Sequence, residues 1–194
     1  MKKSRLEAFS DGVLAIIITI MVLELKAPPQ PTLQALQPLW PDLASYAVSF
    51  VFIGIYWNNH HHLWQVVEQV NGAVLWTNLH LLFWLSLVPF ATAWVGESGF
   101  AAAPVAIYGL VLLGAGGAYY LMTRVLLALH GGDTLLARAL GSDFKGRISL
   151  WLYAGAVAVA WFEPWVACAA YVAVAIMWIV PDRRIERLLP SRRD

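Results

Sequence analysis

Long uninterrupted apolar stretches dominate the chain. Five intervals contain no Asp, Glu, Lys or Arg, at 43–67, 69–96, 98–123, 148–162 and 164–181. A helix needs about 20 residues to cross a hydrocarbon core of about 30 Å, so the first three intervals are each long enough for one crossing and the last two nearly so. Together with the apolar stretch near the N-terminus, they predict six transmembrane helices, at roughly 6–26, 43–65, 73–95, 103–128, 147–162 and 164–181.

The composition excludes the soluble classes of protein. Of the 194 residues, 60% are hydrophobic and only 13% are charged, against about 45–50% and about 25% in soluble domains. A chain this short cannot hide so much apolar surface in a soluble fold. We therefore expect an all-α polytopic membrane protein, a single domain over residues 1–194, and neither a soluble enzyme nor a nucleic-acid-binding protein.

Basic residues lie on one side of the predicted membrane. Twelve of the thirteen Lys and Arg residues precede the first helix, bracket or lie within the connection 124–147, or end the chain, and Lys26 is the exception. Because cytoplasmic loops carry the excess of Lys and Arg, both termini are predicted to be cytoplasmic, in the cell membrane. The proline-rich segment 27–42 cannot be a regular helix and is the longest connection on the opposite side.

The first helix carries charge where the others do not. Only twelve uncharged residues separate Asp11 from Glu24, a length of about 18 Å, which is too short to cross the hydrocarbon. A crossing therefore requires Ser10 and Asp11 to lie within the membrane. A carboxylate there costs on the order of 2.5–3.5 kcal/mol and usually faces protein or water, so Asp11 is a candidate functional residue.

A helical projection divides this helix into two faces. Asp11 points roughly 140° away from Ile16. Residues within about 40° of one line form the other face: Arg5, Phe9, Gly12, Ile16, Thr19, Ile20 and Leu23. If that face lines a permeation path, its rings are Ile16, Thr19 or Ile20, and Leu23. The same apolar spacing is typical of helix packing, which periodicity alone favours.

The start of the chain resembles a known family. Residues 5–13, RLEAFSDGV, with Ile16, Thr19 and Glu24 after them, resemble the RxxxFSD first helix of the endosomal and lysosomal potassium channel family, the transmembrane protein 175 family, in its single-repeat prokaryotic form. Two further segments are similar to that family, 57–61 (WNNHH) and 87–92 (LVPFAT). The resemblance spans the first half of the chain.

The resemblance implies a potassium-permeable cation channel without a cofactor or catalytic residues. Such a channel has six helices per chain and is a homotetramer in the lipid bilayer, with the first helix lining a central pore. By similarity, Ile16 forms a hydrophobic constriction, Thr19 a hydroxyl ring and Leu23 a second apolar ring. A ring of apolar side chains can gate by dewetting, so modest selectivity for potassium is expected.

The resemblance also assigns the charged start of the helix to a network between helices. Arg5, Phe9, Ser10 and Asp11 become scaffold and gate-coupling residues, and their nearest polar partners are predicted to be Asn58, His60 and His61. Such a network could couple helix position to opening, or could only hold the bundle together. The sequence leaves both roles open.

Two other functions also remain open. In a small proton-coupled secondary transporter, Asp11 and His60 would be the protonation sites. In a membrane-embedded metal-dependent enzyme, histidines would bind a metal together with Asp11 or Glu68. Consecutive histidines at 60–62 point about 100° apart on a helix and cannot all bind one ion, so we predict no metal site.

Overall fold

The computed structural model describes residues 2–131, 136 and 143–179. These ranges are helical and contain no strand, which confirms the all-α prediction for this part of the chain. In chain order the elements are α1 (Lys3–Leu23), a 3₁₀ helix (Leu33–Leu39), α2 (Trp40–Val66), α3 (Gly72–Ser86), α4 (Val88–Glu97), α5 (Ala102–His130), α6 (Phe144–Val159) and α7 (Pro164–Ile179).

Apolar composition explains why these segments are helices, because a backbone in hydrocarbon must satisfy its own hydrogen bonds. Four described segments are long and apolar enough to cross a bilayer, at 3–23, 33–66, 72–97 and 102–130. Helices α6 and α7 have 16 residues each, a length of about 24 Å. Six crossings therefore stay a prediction. Residues 132–135 and 137–142 of the basic connection, the basic tail and the end of the predicted last helix lie outside the described residues.

The predicted third span, 73–95, agrees with a span at 72–97, but its helix is interrupted once. The segment consists of α3 and α4, which meet at Leu87, where the backbone N–H bonds to the Trp84 carbonyl three residues back. Pro89 lies in the first turn of α4. Proline has no N–H to donate and its ring clashes with the carbonyl four residues earlier, so the helix breaks just before it.

The connection at 27–42 is more ordered than its prolines suggest. It contains the 3₁₀ helix, and α2 already begins at Trp40 with Pro41 in its first turn. A helix tolerates proline there because the N–H groups of the first turn have no partner within the helix. The predicted second helix, 43–65, therefore begins three residues too late.

Helix α5 lies at the centre of the bundle and packs against α3, α4, α6 and α7. A glycine permits its close approach to α3, because a Cβ at Gly114 would clash with the Trp84 ring. The indole N–H of Trp84 donates to His80 Nε2 at 2.9 Å, which holds the ring in place. Helix α1 lies at the edge of this arrangement, against α2, α3 and α4.

The contact between α3 and α5 gives a first test. Replacing Gly114 by Ala should lower the stability of the purified protein by about 1–3 kcal/mol, since overpacking forces Trp84 away from its hydrogen bond. Thermal unfolding in detergent measures the change. Gly117→Ala is the matched control, because a Cβ at Gly117 meets nothing within 4 Å, and it should be neutral or stabilising. Equal effects of the two variants would contradict the packing account.

Candidate functional site on the first helix

One face of α1 is uncovered in the single chain. Ile16 is 59% exposed and Leu23 is 80% exposed. The whole face selected by the helical projection is exposed: Arg5, Phe9, Gly12, Ile16, Thr19, Ile20 and Leu23. Apolar side chains in such an array must be covered by lipid or by another chain.

The opposite face of α1 is buried. Its inward side chains follow the spacing of one helical stripe, since they stand four, four, three and four residues apart: Leu6, Ser10, Leu14, Ile17 and Met21. This stripe packs against the first half of the bundle, and Ser10 is its polar member. The rotation of α1 about its own axis is therefore fixed by packing.

Thr19 lies on the exposed face with its hydroxyl turned back to the helix. Its Oγ1 donates to the Ile16 carbonyl oxygen at 2.8 Å. That bond uses the hydroxyl proton, and the oxygen lone pairs remain available to a group outside the chain. The Thr19 side chain can therefore offer an acceptor, one turn from Ile16.

A buried hydrogen-bonded chain connects α1 to α2 and α3. Ser10 Oγ donates to the Leu6 carbonyl at 2.9 Å and lies 3.0 Å from Asn78 Nδ2. The other end of the Asn78 amide lies 2.8 Å from His60 Nε2, and Trp64 Nε1 donates to the same nitrogen at 2.8 Å. None of Ser10, Asn78, His60 and Trp64 is more than 2% exposed. We call these four residues the Ser10–Trp64 network.

Protonation of His60 and orientation of Asn78 depend on each other in this network. An indole N–H can only donate, so neutral His60 accepts at Nε2 and carries its proton on Nδ1, which is buried without a partner. A second acceptor facing Nε2 would be repulsive, hence neutral His60 needs the amide nitrogen of Asn78. A protonated ring donates from Nε2 to the amide oxygen instead, and the Trp64 indole N–H then loses its acceptor. The network therefore links the charge of His60 to the bond that Asn78 makes with Ser10.

The structure brings together only some of the predicted motif residues. Ser10 and His60 meet through Asn78, whereas His61 Nδ1 lies 3.3 Å from the Glu7 carboxylate. The side chains of Asp11 and Asn58 make no hydrogen bond or ion pair with any described residue. Both are only partly buried. No hydrogen bond or ion pair joins Asp11 to His60 or His61 within the described chain, so the partners of Asp11 stay a prediction.

Three members of this region were not among the predicted site residues. Asn78 and Trp64 complete the network, and Lys3 Nζ donates to the carbonyls of Trp64 and Val67, at 2.7 and 2.9 Å. A cation is favourable at the C-terminus of a helix, so Lys3 ties the start of α1 to the end of α2. The sequence contained one signal for Asn78. It is an amide within the long apolar interval 69–96, and polar residues in a membrane span usually have partners.

No group of three metal-ligating side chains occurs among the residues that the structure describes. The histidines at 60–62 take separate roles, because His60 lies in the buried network and His61 contacts Glu7 and Gln65. The candidate site is therefore the exposed face of α1, held in position by the Ser10–Trp64 network.

Known proteins resemble this chain over most of its length. The family model for the endosomal/lysosomal potassium channel TMEM175 matches residues 5–89. A curated protein named potassium channel, from Chryseobacterium sp. (strain P1-3), is 52% identical over 97% of this chain and 98% of its own length. The chain belongs to the TMEM175 family. All four residues of the Ser10–Trp64 network lie within the segment that the family model matches.

A solved structure and a vertebrate protein extend the likeness. The crystal structure of a lysosomal potassium-selective channel TMEM175 homolog from Chamaesiphon minutus superposes with a TM-score of 0.78 at 29% identity, covering 91% of this chain and 96% of the other. The endosomal/lysosomal proton channel TMEM175 of Gallus gallus is 33% identical over 47% of this chain and 21% of its own length. These TMEM175 relatives are ion channels, not enzymes.

Two substitutions in this TMEM175 chain compare Asn78, a member of the Ser10–Trp64 network, with Asn58, the partner that the sequence predicts. Asn78→Leu should destabilise the purified protein by about 1–3 kcal/mol, because it leaves His60 and Ser10 without their shared partner. Asn58→Leu is the matched control and should change stability by no more than about 0.5 kcal/mol. Thermal unfolding in detergent compares them. A larger loss in Asn58→Leu would show that the motif binds Asn58 after all.

Proposed function

We propose that this chain forms a potassium-permeable cation channel, in which the α1 helices of four copies surround a central pore. The observation that carries the proposal is the uncovered face of α1, with Ile16, Thr19 and Leu23 one above another. Relatives named potassium channels support potassium as the permeant ion. No cofactor is required, since ions pass down their electrochemical gradient.

Several copies are needed because one exposed helix face cannot enclose a path for ions. A closed ring of identical chains would bring the same α1 face to a shared axis. Lipid is the competing cover for this face. The presence of Thr19 and Arg5 on it favours a water-containing path, since lipid offers no partner to polar side chains.

The order of side chains along α1 suggests how ions would be selected. Ile16 rings would form a hydrophobic constriction, with Ile20 beside it and Leu23 as a second apolar ring. Thr19 oxygens, whose protons are held by the Ile16 carbonyl, would replace part of the hydration shell of an ion. Potassium sheds water more readily than sodium, so this pore should favour potassium modestly. Both termini would be cytoplasmic and the protein would lie in the cell membrane.

Replacing Ile16 by Asn tests the pore directly. In reconstituted vesicles or planar bilayers, the wild-type current should reverse at a voltage that follows the potassium gradient. Ile16→Asn should raise the leak current and reduce the discrimination between potassium and sodium, because a polar side chain wets the constriction. The current amplitude measures the leak, and bi-ionic reversal potentials measure the discrimination between the two ions.

Val22→Asn is the control for this substitution. Val22 is 44% exposed and points about 120° away from Ile16, so the same polar group is added off the proposed pore face. Its conductance and ion preference should match the wild type. Unchanged currents in Ile16→Asn, or an equal change in Val22→Asn, would refute the assignment of the pore face.

Asp11 is assigned to assembly and gating, not to selectivity. Its carboxylate has no hydrogen bond or ion pair within the described chain and is only partly buried, so in a tetramer its partner would come from a neighbouring copy. Arg5 and Phe9, the exposed members of the motif, lie on the proposed pore face of α1, and this proposal gives them a role in the scaffold and in gate coupling. A carboxylate inside a membrane needs such a partner or water.

Asp11→Ala should therefore reduce the yield of assembled tetramer or the open probability. Size-exclusion chromatography with light scattering measures the first, and single-channel recording measures the second. Reversal potentials should be those of the wild type, because the side chain lies off the pore face. A clean shift in selectivity would mean that α1 is rotated relative to the proposed arrangement.

Proton-coupled transport is the second candidate function. The observation that favours it is the linkage in the Ser10–Trp64 network between the charge of His60 and the orientation of Asn78. A carrier would move potassium only with a proton gradient and far more slowly than a pore. Resolved single-channel currents without a pH gradient would exclude it.

A further inference from the structure

A cavity of about 340 Å³ lies between α2, α5 and α7, next to the turn that joins α4 to α5. Its volume is within the range of pockets that hold organic molecules. No described residue of α1 lines it. The proposed pore therefore makes no use of this cavity.

The cavity extends along the helices. Its lining runs from Trp40 to Val48 on α2 and from Trp165 to Val172 on α7. At 1.5 Å per residue these stretches are about 10–12 Å long, which is most of the depth of one leaflet in a hydrocarbon core about 30 Å thick. Acyl chains of a leaflet also lie along the membrane normal. The cavity therefore has the direction and depth of an acyl chain.

Three aromatic rings close the cavity at the end where α2 and α7 begin. The centroid of the Phe100 ring lies 5.5 Å from that of Trp40 and 4.8 Å from that of Trp165. Phe100 has a φ of +65°, which residues other than glycine rarely adopt, so packing around the ring must compensate for the strain. Tryptophan is favoured where hydrocarbon meets water. The three rings therefore mark a membrane interface.

The cavity opens on the flank of α7. Its exposed lining residues include Trp165, Ala169 and Val172 on that helix, whereas Val105 and Tyr108 on α5 are buried. The chain belongs to a family of membrane channels and has several apolar spans, so the medium beside an apolar flank is the hydrocarbon of the bilayer. An acyl chain can enter there without leaving hydrocarbon.

The hydroxyl groups in the cavity walls are already paired within the protein. Tyr171 Oη donates to the Val105 carbonyl at 3.2 Å, and Tyr108 Oη lies 2.9 Å from Ser49 Oγ. Ser45 Oγ donates to the carbonyl three residues before it, at 3.0 Å. A polar ligand would lose its hydrogen bonds to water and gain none from these groups. An apolar occupant is therefore favoured.

Charges at this end of the bundle favour one class of head group. The ionisable side chains of the described segments that end or begin here are four acids and one base: Glu24, Asp42, Glu97, Glu163 and Lys26. Lys26 Nζ lies 3.9 Å from the Glu97 carboxylate. The remaining negative charge repels an anionic head group and attracts an ammonium group.

We propose that this cavity holds one acyl chain of a phospholipid whose head group carries an ammonium group, of the ethanolamine type. The end of the chain would lie near Tyr108. The head group would lie beside Trp40 and Trp165, whose indole N–H groups can donate to its oxygens. Its ammonium group would lie in the negative field of the acids at this end, among them Glu163, which directly precedes α7.

A phosphatidylethanolamine with a diazirine near the end of one acyl chain tests the proposal. The purified protein is reconstituted into vesicles that contain this lipid and is illuminated, and mass spectrometry of its peptides locates the labelled residues. Lipid in the bulk bilayer can label exposed residues only. Tyr108 is 6% exposed, so label at Tyr108 reports a chain inside the cavity, and the wild type should carry it.

Two matched substitutions on α7 locate the site. Ala169 lines the cavity, and Ala173 lies one turn away without lining it, although both are exposed. Ala169→Phe should reduce the label at Tyr108 by about fivefold or more, because its ring fills the entrance to a closely packed space. Ala173→Phe should leave the label within about twofold of the wild type.

A second pair of variants is used if Ala169→Phe is poorly folded. Val172 lines the cavity and Ile176 does not, and both are exposed on α7. Val172→Trp should reduce the label at Tyr108 and Ile176→Trp should not. Equal labelling in both members of each well-folded pair would overturn the proposal.

The head group is tested with phosphatidylglycerol that carries the same diazirine chain. It should label Tyr108 about fivefold less than phosphatidylethanolamine at low salt, and the difference should shrink at high salt because exposed charges are screened. Equal labelling by the two lipids at low salt would overturn the assignment of the head group.

A second copy of the chain is the competing cover for the opening. In that case Tyr108 of the wild type would carry no label, and Ala169→Phe would reduce the yield of the oligomer in size-exclusion chromatography. This result would overturn the proposal. It would leave the pore assignment untouched, because ion currents and the label at Tyr108 are measured independently.

Discussion

The rotation of α1 about its own axis is the constraint on which the rest of the candidate site depends. A single serine, Ser10, is the polar member of its buried stripe, and Asn78 on α3 holds that serine at 3.0 Å. Apolar packing alone tolerates small rotations, because one methyl group can replace another. A buried amide N–H that loses its acceptor is penalised by about 1–3 kcal/mol, so the hydrogen bond from Asn78 to Ser10 selects one rotation among several packed alternatives. That rotation determines which face of α1 is exposed.

Burying four polar side chains in a membrane bundle is acceptable only if they satisfy each other. Trp64 and His60 do so within one helix, since they lie one turn apart on α2. Asn78 then connects this pair to α1. The remaining unpaired atom is His60 Nδ1, which makes the ring the least satisfied member of the network. A network with one unsatisfied member is the place where a change of charge has the largest structural effect.

Much of this fold could be predicted from the sequence because helices in lipid are local structures. The length of the apolar interval predicted both ends of α5 to within two residues. The helical projection of α1 identified the face that is exposed. The interruption at Leu87 was not predicted, because hydropathy does not distinguish Pro89 from the apolar residues around it. Pro89 interrupts the helix through the turn before it. Hydrogen-bond partners that lie far apart in the sequence were harder to predict. Asn78 lies 68 residues from Ser10, and no periodicity in either helix identifies that pairing.

Three tyrosines that line one cleft between the helices show the same limit at a larger scale. No sequence pattern connects Tyr56, Tyr119 and Tyr153, since each lies on a different helix. Their meeting depends on the crossing of α2, α5 and α6, which hydropathy does not encode.

The division of the bundle suggests different constraints on its two halves. The family model ends at residue 89, just after the break that begins α4, and it contains α1, α2, α3 and every member of the Ser10–Trp64 network. Helices α5, α6 and α7 lie beyond it. Their role toward α1 is indirect, through the packing of α5 against α3 and α4, and many apolar surfaces can fill such a role. The packing surfaces of these helices can therefore change without disturbing the rotation of α1.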